Sequence, residues 1–145
     1  MAIKSRKIIR KKIAELLGPV VATAGASETK SYQPSTIGAT PGVYVRTTSS
    51  DRPPLTVRGK ATRFEFDILL LVLQSDKKNP NWTEDKAEDL LDDLEAAVCE
   101  FMTTYRVVAD YWDSIEYARP SKIEHFYEEG LPYLLEAIPV EVEGF

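Results

Sequence analysis

The chain has 145 residues, the usual length of one domain, long enough to bury about two thirds of its unfolded surface and too short for a second domain of ordinary size. With 43% hydrophobic and 28% charged residues it has the composition of a soluble globular protein, which argues against wholesale disorder or a fibrous fold. Its net charge of −5 is unevenly spread: residues 1–18 hold six Lys or Arg against Glu15 alone, leaving 12 cations against 22 acids in the rest.

Residues 3–21 have charges running through them and so lack the separate apolar core of a signal peptide. No run approaches the roughly 18 apolar residues that cross a bilayer, and the one cysteine, Cys99, permits no internal disulfide. The expectation is a soluble, intracellular protein. A basic first helix is expected from Ser5 to Leu17, with Lys4, Arg6, Lys7, Arg10, Lys11 and Lys12 as a docking surface and Ile9, Ile13, Leu16 and Leu17 toward a sheet. Gly18-Pro19 should end it, because proline cannot continue a helix, and Val20-Val21 should start a strand.

Residues 22–40 are rich in Ala, Ser, Thr and Gly and read as a mobile linker. After Pro41-Gly42 a short strand is expected at Val43 to Arg46, broken by Ser49 to Pro54. From Leu55 to Gln74 the pattern stays strand-like for about 20 residues, over 60 Å at roughly 3.3 Å each, more than one small core holds. Gly59 is the natural bend, so the part before it, with Arg58 and Lys60, is expected to project as a hairpin arm. Beyond it, even positions from Phe64 to Val72 are apolar, while odd ones change from Arg63, Glu65 and Asp67 to Leu69, Leu71 and Leu73. That strand should be half wet and then buried on both faces, by a helix on each side or by a neighbouring subunit.

The strongest pattern follows. Leu90, Leu91, Leu94, Ala97, Val98, Phe101, Met102 and Tyr105 repeat at three and four, one face of the main helix, with Thr83 as its N-cap and Glu84 and Asp85 in its first turn. Its acids Glu88, Asp89, Asp92, Asp93 and Glu100 should face water. A third strand is expected at Ser114 to Arg119, then a charged aromatic loop from Lys122 to Gly130, then a last strand from Leu131 or Tyr133 through Ile138, Val140 and Val142. Pro139 argues that this last strand is an edge or is bulged. The fold class is therefore α/β of the α+β type: one domain with a mostly antiparallel sheet of about four strands, packed by the main and N-terminal helices. Residues 1–21 supply the basic helix and the start of the first strand, 22–40 the linker, and 41–145 the sheet and main helix.

No catalytic, metal or cofactor site is legible. With one His and one Cys, neither a zinc set nor a His-assisted nucleophile is framed; His125 with Glu128 and Glu129 is the best local metal candidate and a poor one. Gly38-Ala-Thr-Pro-Gly42 lacks the lysine and glycine spacing of a phosphate loop. Arg58, Lys60 and Arg63 alternate with apolar residues on the long strand, and contact with an acidic neighbour suits them better than sequence-specific DNA binding.

The order of a basic N-terminal helix, a linker, strands at Val43 and Phe64, the Trp82 to Tyr105 helix, and a closing Tyr133-Leu-Leu-Glu-Ala-Ile-Pro-Val-Glu-Val142 strand resembles the tail terminator or tail completion proteins of long-tailed bacteriophages. That resemblance implies a homo-oligomer, a hexameric ring capping the head-proximal end of the tail tube, stopping its polymerisation and meeting the head-tail connector or stopper protein. DNA would be met only as the passing genome, and no membrane or cofactor is implied. The place implied is the tail-neck junction of the virion, and the host bacterial cytoplasm during assembly. Subunit or tube contacts would fall to Arg58, Lys60, Arg63, Leu69, Leu71 and Leu73, and partner contacts to Phe126, Tyr127, Glu128 and Glu129. A connector or stopper role is the nearest alternative, and a nucleic-acid-binding accessory protein using the basic helix is the next.

Overall fold

The computed structural model describes residues 4–52 and 61–144. The hairpin arm expected before Gly59, with Arg58 and Lys60, lies outside them. Among the described residues two helices pack on one face of a six-stranded, mostly antiparallel sheet of β1 (Glu28–Lys30), β2 (Gly42–Asp51), β3 (Thr62–Leu73), β4 (Ser114–Tyr117), β5 (Lys122–Glu128) and β6 (Leu131–Gly144), in the order β1-β2-β3-β6-β4 with β5 paired to β6. The α+β class and single domain follow as expected, with six strands in place of about four.

Helix α1 runs Arg6–Thr23, with Ser5 capping its N-terminus by accepting a hydrogen bond from the Ile8 amide. It does not stop at Gly18-Pro19, and Val20 and Val21 are helical. Ile9, Ile13, Leu17 and Val21 are fully buried at a spacing of four, so a turn ended at Pro19 would leave Val21 out of the core. Burial of that last residue offsets the hydrogen bond that proline cannot donate. Residues 22–40 are likewise no bare linker: β1 (Glu28–Lys30) pairs in parallel with the start of β2 (Gly42–Asp51).

Strand β2 is longer than expected, reaching through Ser49 to Asp51 beside β3 (Thr62–Leu73), with a bulge at Thr48. Even positions of β3 join the helix-side core with Val43, Val45, Leu134, Ile138, Val140 and Val142. Helix α2 (Glu84–Thr104) buries Leu91, Leu94, Val98 and Phe101 against them, and Thr83 caps it by accepting from the Lys86 amide. The acids Glu88, Asp89, Asp92, Asp93 and Glu100 are exposed, which fixes the helix phase as its periodicity implied. Trp82 anchors the approach to the helix by donating Nε1–H to the Leu73 carbonyl at 2.6 Å.

Strand β6 (Leu131–Gly144) is central, contrary to the edge expected from Pro139. It pairs with β3 along its length on one side, and with β5 (Lys122–Glu128) and then β4 (Ser114–Tyr117) on the other. The Pro139 carbonyl accepts from the Ala118 amide, at the break between β4 and β5. A strand residue sends its N–H and C=O to the same side, so the missing donor faces that break and no ladder bond is lost. The stretch Lys122 to Gly130 is also corrected: it is β5 and a two-residue turn, Glu129-Gly130, both at positive φ as a twisted hairpin requires.

Candidate interaction surface

The sheet face away from the helices has two zones. In the first, Tyr44, Leu69, Leu71 and Tyr133 are buried with Ile37, Phe126, Leu131 and Leu135 packed around them. Residues 33–37 cross this band as a strap, enclosing with it a cavity of about 150 Å³. The strap is pinned where Arg46 donates to Gln33 Oε1 at 2.9 Å. Below it Tyr44 donates its hydroxyl to Glu28 Oε1 at 2.9 Å. Burial, with the Glu28 carboxylate beside it, pushes the Tyr44 hydroxyl well above its usual range.

Both-face burial of the second half of β3 is therefore real, and on the strap side the chain's own segments supply it in place of a second helix. Leu69 is 0% and Leu71 4% exposed beneath the chain's own strap and strands, so neither is available to a partner as the chain stands. Leu73 is half-buried at the margin of the same band. These three positions account for the apolar surplus of the sequence within one chain.

The second zone is charged and held in register. Arg46 pairs with Asp67 at 2.6 Å, Arg63 with Glu143 at 3.3 Å and Glu141 at 3.5 Å, and Arg119 with Glu65. Each pair joins different strands or their connections, so the charges lie flat on the face. Between the zones is an open cleft of about 570 Å³, with Arg46, Asp67, Arg119, Lys122 and Glu124 around a floor of Leu69, Ala137 and Pro139. Arg63 thus already has intrachain partners, although half its side chain is exposed.

On the helix side, the cations of α1 divide. Arg6 donates to Ser50 Oγ at 3.0 Å and Arg10 to Thr47 Oγ1 at 3.1 Å, both on β2. Lys4 and Lys12 lie over the Tyr111 ring, 5.7 and 4.7 Å from its centroid, and Lys12 also pairs with Glu15 at 3.3 Å. Lys7 and Lys11 are exposed and make no ion pair among the described residues. Of the six cations expected to dock, four are therefore held by contacts within the chain, and two, Lys7 and Lys11, are free of them among the described residues.

The residues expected to meet a partner from a loop sit on the β5 hairpin and split between its faces. Phe126 stacks on Tyr133 at 5.4 Å, on the strap side, and Glu128 shares that face. Tyr127 points the other way and is 77% exposed, while Glu129 forms the turn. His125 shares a face with Tyr127, opposite Glu128, so strand alternation separates the histidine from that carboxylate. Among the described residues no three His, Cys, Asp or Glu groups gather as metal ligands would.

One buried acid was not singled out from sequence. Glu136, 5% exposed, sits on the helix-side face of β6 and accepts from Ser121 Oγ at 2.7 Å. Burial raises its carboxyl above the usual range; the Ser121 bond opposes this, and Glu95 and Asp92 of α2 add to it. Its place among Leu134, Ile138 and Val140 at alternating positions was the available signal. Nearby, Tyr117 donates to Cys99 Sγ at 3.1 Å, and that thiol donates to Glu95 Oε1 at 3.2 Å. The Tyr117 bond pulls the thiol down, but burial and Glu95 outweigh it and hold it above its usual value.

A scan against protein-family models finds no match for this chain, and a search of curated proteins finds none either. No helix among the described residues is long and apolar enough to cross a membrane.

Proposed function

We propose that this chain is a structural subunit of a phage virion, closing with five copies of itself into a ring on the head-proximal end of the tail tube. There it stops tube polymerisation and presents a face to the head-tail connector. One observation carries the reading. The helices are confined to one side of the sheet, so the other side is a surface on which charges are fixed by cross-strand pairs beside an apolar band that the strap of residues 33–37 covers. Charges already held in position by their own chain set the register of a protein contact without needing to be ordered on binding. Sheet edges at β1 and at β4 and β5 add surfaces in two further directions, which a subunit held between neighbours and a tube requires. The elements on which the resemblance to tail terminators rests, a basic helix, strands at Val43 and Phe64, the main helix and a closing strand, occur in that sequence, with β1, β4 and β5 added among them.

The test is functional. Purified chain added to the polymerising tail tube protein of the same genome should arrest growth and leave shorter tubes with a cap at one end in electron micrographs. Tube lengths unchanged at saturating chain would refute the terminator reading. Binding to the connector without arrest would favour the connector or stopper role.

A further inference from the structure

The helix layer is one helix short of covering its sheet. A helix about 10 Å across covers roughly two strands spaced about 4.8 Å apart. Helix α1 rests on β1 and β2, and α2 on β3 and β6. Past α2 that face is covered at Ile115 of β4, 2% exposed within the core, and lies open from Tyr117 onward and along β5, where His125 is exposed among the apolar side chains. Tyr117, Ile123 and Tyr127, which lie across from Val140, Glu136 and Pro132 on that face, are 48%, 51% and 77% exposed.

Above this apolar floor stands an acidic wall. Glu88, Asp92 and Glu95 follow one another along α2 at spacings of four and three, and Cys99 comes one turn later. The hydrogen bond from Tyr117 to Cys99 fixes this flank of α2 as the one beside β4. Helix α2 carries eight carboxylates and one lysine, and none of those carboxylates forms an ion pair among the described residues.

The complement lies at the other edge of the molecule. Helix α1, over β1 and β2, turns Lys7 and Lys11 to solvent, and on the neighbouring stripe Ile8, 41% exposed, lies midway between Lys4 and Lys12. The outer side of α1 thus presents cations beside an exposed apolar side chain, and the far edge of the sheet presents a largely apolar floor under carboxylates.

We propose that the shelf formed by β4, β5 and the acidic flank of α2 receives the outer face of α1 from a second copy of this chain. Lys7 and Lys11 meet Glu88, Asp92 and Glu95, and Ile8 lies on Tyr117 and Ile123. Because donor and acceptor surfaces occupy opposite edges, the contact is heterologous: it propagates from copy to copy and ends only when a ring closes, where a two-fold dimer would end at once. The contact deepens the ring reading, from which it takes only the number of copies.

Cross-linking of the full chain tests it, with native Cys99 as one partner. Under mild oxidation, Lys11→Cys should give a ladder of disulfide-linked oligomers that Cys99→Ser abolishes and that Ser35→Cys, on the strap, does not give. In sedimentation velocity, Lys7→Glu with Lys11→Glu, or Glu88→Lys with Asp92→Lys, should each weaken self-association by about tenfold or more. Combining the four changes should restore it; all four positions are exposed, and circular dichroism verifies the fold. A Lys11→Cys ladder no stronger than the Ser35→Cys control, or reversals without mutual rescue, overturns the proposal. A ladder closing at a number other than six upholds the contact and overturns the sixfold ring. A sixfold ring formed without the ladder does the reverse.

Discussion

Truncating Leu69 separates burial by the chain itself from burial by a neighbour. Leu69 is fully buried on the strap side of the sheet and Leu94 fully buried on the helix side. Leu→Ala removes about three carbons, a transfer loss of roughly 2 kcal/mol at about 0.8 kcal/mol per methylene. To this is added about 24 cal/mol for each Å³ of void that remains. Leu94 lies within the closely packed helix-side core, so its void persists and Leu94→Ala should cost about 3.5 to 5 kcal/mol. Leu69 already lines the 150 Å³ space under the strap, where residues 33–37 have room to settle, so Leu69→Ala should cost about 2 to 3 kcal/mol. The assay is urea unfolding of each variant at a concentration where sedimentation shows monomer, with unchanged m as the test of two-state behaviour. A cost below about 1 kcal/mol for Leu69→Ala, beside a full cost for Leu94→Ala, would refute intrachain cover and return Leu69 to the subunit interface.

Two further outcomes follow from single residues. The folded-state carboxyl of Glu136 titrates above its unfolded value, so the native state keeps its proton longer; stability is unaffected below the unfolded value near 4.5 and falls as pH rises from there through the folded value. Glu136→Gln should therefore be more stable than the parent at neutral pH and equal to it in acid, and urea midpoints from pH 4 to 8 that run parallel would contradict this. Gly130 has φ of +79° with no atom near an added Cβ, so Gly130→Ala should cost about 1 kcal/mol by backbone strain alone, read from the thermal midpoint.

What the sequence disclosed depended on whether burial was one-sided. Helix α2 was legible to its cap because one face is core and the other water, which gives the repeat at three and four and places Thr83 before the acids. The change along β3 from Arg63, Glu65 and Asp67 to Leu69 and Leu71 was equally plain, yet its cause was not, because the cover comes from Ile37 in a segment without pattern of its own. Strand β1 was hidden for a similar reason: Glu28, Thr29 and Lys30 are polar, and only the free edge of β2 makes them a strand. Strand β5 carries polar and aromatic residues on both faces, since one face is outside the helix layer, so no alternation marked it. Pro19 and Pro139 misled as local signals. Burial of Val21 carried the helix through the first, and the gap between β4 and β5 absorbed the second. The free cations Lys7 and Lys11 were visible as charge, whereas the shelf that complements them needed the topology.

The most direct measurement is cryo-electron microscopy of tail tubes assembled with this chain, resolving the symmetry and copy number of whatever occupies the tube end. The account predicts a single closed ring of six copies at one end only. An end without the chain, or a ring of any other number, would contradict it.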